Sequence, residues 1–166
     1  MYKYKNREFN SLIQPIAENE EFLKTKDIKH HSLTRYDHSR RVAYFSYLVT
    51  KFLRLDYKET TEAAMLHDFF TTEVQHDNAI FKLRRHPNHA VENSKKYFEL
   101  SDKQVDIIKT HMFPVTFTPP KYLESWIVDL VDDVASIYER GKTMKNEIKT
   151  AVSFVFVFLI NYIKMH

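Results

Sequence analysis

The sequence predicts an all-α, single-domain protein, and three observations carry that prediction. Glycine occurs once in 166 residues, which leaves little material for tight hairpins or glycine-rich connections. Several segments repeat apolar residues at helical spacing, and residues that start or stop helices stand at their ends. Neither an internal repeat nor a low-complexity linker interrupts them. Helices are expected at about 9–24, 38–54, 59–69, 87–99, 102–112, 121–140 and 146–163.

Each element has a local reason. The first lies in an N-terminal helical extension over residues 1–29, where "MYKYKNREFNSLIQPIAENEEF" is charged throughout. That stretch lacks the apolar centre of a signal peptide, so a cytoplasmic protein is expected. Asp37 is placed to cap the helix beginning at His38, and Thr60 the next one. Pro87 suits a first helical turn, because proline there loses no hydrogen bond. Ser101 is placed as the cap of a helix that ends before Pro114. Pro119 and Pro120 precede the helix containing Trp126. The last helix is built on "AVSFVFVFLINYI", 13 residues from Ala151 to Ile163 between Lys149 and Lys164. A spanning helix needs about 20 residues, so the segment reads as a buried terminal helix or as the contact of a homo-oligomer. Its Val, Phe and Ile content also permits a strand, and the length argues against membrane insertion.

Composition removes several functions. The sequence holds no cysteine, which excludes disulfides, thiolate ligands and a cysteine nucleophile. Rossmann and P-loop sites need several glycines for phosphate to reach the backbone. A net charge of +3 with both signs mixed along the chain does not describe a face for long nucleic acid.

The histidines are less ordinary. His38 is followed at helical spacing by Val42, Phe45, Val49 and Phe52, one apolar stripe. His67 is four residues after Ala63 and three before Phe70, and Asp68 is four after Ala64. His86 precedes Ala90, Ser94 and Tyr97 on an inward face, and His111 follows Ile107 and Ile108. Four core-facing histidines on four helices, with Asp68 among them, would each need a separate polar partner. One metal site satisfies them together. Imidazoles and carboxylates without thiolates suit Fe, Mn, Zn, Co, Ni or Mg. His89 lines up instead with Asn93 and Lys96, a polar stripe, and His30 and His31 fall on a polar loop. In "WIVDLVDDVASIY" the main apolar arc is Ile127, Leu130, Val131, Val134 and Tyr138. Asp133 borders it and Asp132 lies nearly opposite, though with small or apolar neighbours at Val128, Ala135 and Ser136. Periodicity alone does not choose between the two aspartates.

The ordered set of His38, then His67-Asp68, then a late Asp in an apolar helix resembles the HD-domain superfamily of metal-dependent phosphohydrolases. "DHSRRVAYFS" is similar to that family's first helix, "AAMLHDFF" to its His-Asp doublet and "IVDLVDDVAS" to its final segment, which places Asp132 in the ligand slot. "RHPNHAVENS" and "KTHMFP" resemble two extra histidine segments of the subset that holds two metals, a subset including c-di-GMP phosphodiesterases and dinucleoside-tetraphosphate hydrolases. The resemblance covers about residues 30–140.

It implies a helical bundle of HD type and a set of roles. Asp68 would bridge two ions, with His38, His67 and Asp132 on one and His86 and His111 on the other. A hydroxide formed between the two cations would attack phosphorus, with His67 and Asp68 as the catalytic pair. The substrate would be a small phosphate monoester, diester or anhydride, nucleotide-like. Many two-metal relatives follow the doublet with Gly or Ala and then a Lys that approaches the phosphate. Phe70 and Thr71 stand here instead, so the phosphate-binding group is sought among Arg41, Arg84, Arg85, His89 and Lys95. The same ligand set would also serve a di-iron HD-fold oxygenase, or a non-catalytic helical module that binds a metal or another ligand.

Overall fold

The computed structural model describes residues 4–30, 33–71 and 78–141. Seven α-helices account for nearly all regular structure among them: α1 Arg7–Ala17, α2 Glu20–Leu23, α3 Arg35–Phe52, α4 Tyr57–Leu66, α5 Ala79–Ser94, α6 Asp102–Thr110 and α7 Leu123–Arg140. A 3-10 turn, Lys24–Asp27, follows α2. Two strands of two residues each, β1 Lys29–His30 and β2 Leu33–Thr34, pair antiparallel before α3. The fold is all-α, as the sequence predicts.

Several boundaries differ from expectation, each for a local reason. The expected 9–24 helix is two helices, because the Asn19 side chain accepts from the backbone N–H of Glu21 and Phe22 and starts α2 afresh. Thr34, not Asp37, caps α3: its hydroxyl accepts from the Asp37 N–H at 3.1 Å and donates to the Asp37 carboxylate at 3.0 Å. Asp56, not Thr60, caps α4, and the Thr60 hydroxyl instead donates to the Asp56 carbonyl. Pro87 lies inside α5 rather than in its first turn. The turn before it, residues 81–85, is exposed, so solvent meets the carbonyl that proline leaves without a donor. Ser101 caps α6 as expected, with a full capping box through Gln104. The segment Ala151–Ile163 lies outside the described residues. No described helix is long and apolar enough to cross a membrane.

α3 packs against both α4 and α7, α6 packs against α4, α5 and α7, and α1 against α4. The faces in contact are not the ones that large apolar residues mark. In α3 the buried arc holds Ser39, Val42, Ala43, Ser46, Tyr47 and Thr50, whose mostly small side chains let neighbouring helices approach closely. Phe45 and Phe52 of the expected stripe are exposed. In α7 the buried line is Ser125, Val128, Asp132, Ala135 and Glu139, whereas Tyr138 of the expected apolar arc is exposed. Both helices thus turn inward the side that carries His38 or Asp132.

The N-terminal helices belong to the same core. Phe9 and Phe22 are fully buried, and the Phe22 ring lies 5.1 Å from the ring of Phe69, the residue that follows the His-Asp doublet. Phe69 also meets Phe98. Aromatic packing from both sides therefore anchors the chain where it leaves Asp68.

Candidate metal centre

His67 and His111 are held by the same device. Each is the residue that closes a helix, α4 and α6 respectively. Carbonyls in the last turn of a helix have no intrahelical donor. The His67 Nδ1–H donates to the Ala64 carbonyl at 2.7 Å, and the His111 Nδ1–H to the Ile108 carbonyl, also at 2.7 Å. That fixes both rings in one tautomer, with an Nε2 lone pair directed away from the helix end. The two helix C-termini also bring partial negative charge to the same place.

The other ligand candidates converge there. His38, in the first turn of α3, sets Nε2 2.8 Å from Asp132 Oδ1. His67 Nε2 is 3.7 Å from the same oxygen. Asp68, in the turn after α4, has its two oxygens on different neighbours. Oδ2 lies 3.9 Å from His67 Nε2, whereas Oδ1 lies 3.4 Å from His86 Nε2 and 3.8 Å from His111 Nε2. His86, on α5, stands with Nε2 2.9 Å from His111 Nε2. Five of the six side chains are buried, and His86 is the most exposed at 12%. Asp133 is exposed, and Asp132 is the aspartate that enters the cluster.

The donor set is what a cation would need. His67 Nε2 is fully buried and has no hydrogen-bond partner among the described residues. The polar atoms nearest to it include oxygens of the Asp68 and Asp132 carboxylates, which accept and do not donate. An acceptor facing acceptors in a buried cluster is costly, on the order of 1–3 kcal/mol for the unmade bond alone, and a positive ion would remove that cost. Three overlapping triads have donor atoms within 4.8 Å of one another: His38–His67–Asp68, His67–His111–Asp132 and Asp68–His86–His111. Two nitrogen or oxygen ligands on opposite sides of a transition-metal ion are about 4 Å apart, so the spacing fits. The middle triad shares members with the other two, and the six side chains form one continuous cluster.

Electrostatics agree. Burial acts to raise the carboxyls of Asp68 and Asp132, yet the surrounding histidines hold both well below the usual carboxylate range. Burial pushes His86 down to about 4 and lowers His111, which keeps these rings neutral, the form that binds metal. Burial also acts to lower His38, but hydrogen bonds to Asp132 and Glu139 push it up to about 10. A cation binding there would displace that proton.

The other sequence candidates are placed apart from this cluster. Arg41 is buried and its Nη1 donates to Glu139 Oε1 at 2.7 Å. Arg84 donates from Nε to the Val115 carbonyl and stands over the Phe117 ring. Arg85, His89 and Lys95 share a cavity of about 360 Å³ between α5 and α6, which Lys109 also lines. His31 lies outside the described residues, and His30 is described only as a member of β1.

Two residues escape the sequence reading. Glu139 bonds the second nitrogen of His38, and its only signal is a position seven residues after Asp132, on the same helical face. Arg35, three residues before His38, stacks its guanidinium 3.7 Å from the Phe70 ring centre and donates to the Phe70 carbonyl at 2.6 Å. A guanidinium therefore lies over Phe70, two residues after Asp68.

Comparison with curated proteins and with solved structures finds no match. The family model described as HD domain matches residues 35–137. Members of that family are typically metal-dependent phosphohydrolases that bind divalent ions. The matched stretch is more than half of the chain and runs from the turn that presents His38 through the helix that presents Asp132, and on this ground the protein belongs to the HD domain family.

Proposed function

We propose that this protein is a metal-dependent phosphohydrolase acting on a small phosphate ester or anhydride, nucleotide-like in character. His38, His67 and Asp132 would hold one divalent ion and His86 and His111 a second, with Asp68 shared between them. One observation carries the two-ion reading: the oxygens of Asp68 divide, Oδ2 toward His67 and Oδ1 toward His86 and His111. A carboxylate that faces both halves of a ligand cluster is suited to lie between two cations and reduce their mutual repulsion.

When bound, such ions lower the pKa of water and neutralise charge building on phosphoryl oxygens. The chain supplies the rest. Asp68 accepts a hydrogen bond from the attacking water and orients it. The carbonyl-anchored rings of His67 and His111 keep their nitrogens in place without rearrangement, so the site is preorganised. Substrate arrives from the side of His86, the least buried of the six. The cavity containing Arg85, His89, Lys95 and Lys109 joins α5, which carries His86, to α6, which ends at His111. Arg85, Lys95 and Lys109, which outnumber the one acidic residue of the lining, Glu92, suit the part of an anionic substrate that does not react.

The test is hydrolysis of p-nitrophenyl phosphates and a nucleotide panel after loading with Mn, Fe, Co or Ni. Turnover should require metal and be lost in His67→Ala. A metal-loaded wild type that hydrolyses nothing across the panel, indistinguishable from His67→Ala, would remove this reading.

A further inference from the structure

We infer that Glu139 is a positioning residue for the metal centre, acting through the ring of His38. The inference rests on the metal-site reading above. His67 and His111 close helices and find their Nδ1 acceptors in carbonyls three residues back. His38 sits in the first turn of α3, where free N–H groups, not free carbonyls, are in excess. The acceptor for its second nitrogen comes from another helix.

α7 provides it. Glu139 Oε2 lies 3.0 Å from His38 Nδ1, and the Glu139 side chain is 1% exposed. Both nitrogens of His38 face carboxylates, which only accept, so each carries a hydrogen; when a cation displaces the one on Nε2, the bond to Glu139 keeps the other at Nδ1 and leaves the Nε2 lone pair for the ion. Asp132, two helical turns before Glu139, meets that Nε2. One face of α7 thus holds both nitrogens of the same ring, and the ring cannot rotate without breaking a bond to that helix. Arg41, one turn after His38 on α3, donates to the other oxygen of Glu139. This clamps the carboxylate and compensates its buried charge. Partners of this kind behind metal-ligating histidines fix the tautomer and raise ligand basicity, and their loss typically weakens metal affinity about 10–100-fold.

Metal affinity of the full chain, measured by competition with a chelator using Mn²⁺ and Zn²⁺, tests this. Glu139→Gln keeps the size and one acceptor oxygen but not the charge, and should weaken the tighter-affected ion about 10-fold. Glu139→Ala should approach 100-fold, with the ion held by His86 and His111 retained. A folded Glu139→Gln or Glu139→Ala that binds both ions within twofold of wild type overturns the inference, and would make Glu139 merely the structural partner of Arg41. Because those variants could lose their fold, the Zn-loaded wild type supplies a second readout. Its long-range proton–nitrogen spectrum should show His38 protonated at Nδ1 and coordinated through Nε2, and the opposite arrangement overturns the inference. A wild type that binds neither ion removes instead the metal reading on which it rests.

Discussion

A buried imidazole nitrogen with nothing to bond is a cost that folding does not incur without return. Among the described residues His67 Nε2 is in that position, and a bound cation would be the return. His67→Ala should therefore abolish the rise in melting temperature that metal gives the wild type, while costing less in the chelated protein, where the nitrogen was already unsatisfied; thermal melts with and without chelator compare the two. Asp129 makes a separate test at this scale. Burial, with the nearby Asp133 and Asp132 charges, pushes its carboxyl up to about 8 despite a hydrogen bond from the Phe113 N–H. The folded state then binds more protons than the unfolded state between about pH 4 and pH 8, so this group makes stability fall as pH rises through that window. Asp129→Asn keeps the acceptor for Phe113 and removes the charge. Urea melts of the chelated proteins should show the variant level with wild type near pH 4 and increasingly more stable toward pH 8. At this scale the sequence is a good guide to which histidines are buried, because helical spacing reports facing. It says nothing of Glu139, whose role arises only when α7 meets α3.

Helix ends repay closer attention than helix faces in this protein. The Ser101 capping box satisfies donors at both Ser101 and Gln104, and α6 delivers His111 at its other end. Ser101→Ala should cost about 1 kcal/mol of stability, read by urea unfolding, without changing the number of ions bound. The exposed residues of α3 predict the converse. Phe52 is 71% exposed, so Phe52→Ser should shift stability by no more than about 0.5 kcal/mol, measured the same way; a loss several times larger would show that this face is covered. Ser101 was legible as a cap because serine followed three residues later by glutamine is a local pattern. The inward faces of α3 and α7 were not, because small residues such as Ser39, Ala43, Ser46 and Ala135 decide where helices touch, and a count of large apolar side chains passes over them. The true caps Thr34 and Asp56 each lie three or four residues before the expected ones, a scale of error that competition among neighbouring Ser, Thr and Asp side chains explains.

Across the whole molecule, the site joins parts of the chain that are far apart in sequence: His38 on α3, the doublet after α4, His86 on α5, His111 at the end of α6 and Asp132 on α7. A ligand bound to all of these stabilises the fold by linkage, by about 4 kcal/mol when free metal exceeds its dissociation constant a thousandfold. The all-α class was legible from the scarcity of glycine and from periodicity, and the ordered histidines and aspartates made the family legible as well. The packing of Phe22 on Phe69 was not, since nothing local in "ENEEFLK" announces a contact nearly fifty residues away. The most direct test of the account is the number of ions per chain in protein reconstituted with excess Mn²⁺, freed of unbound metal and submitted to elemental analysis. Two are expected. A chain that emerges with none, and whose melting temperature is the same with and without chelator, would contradict it.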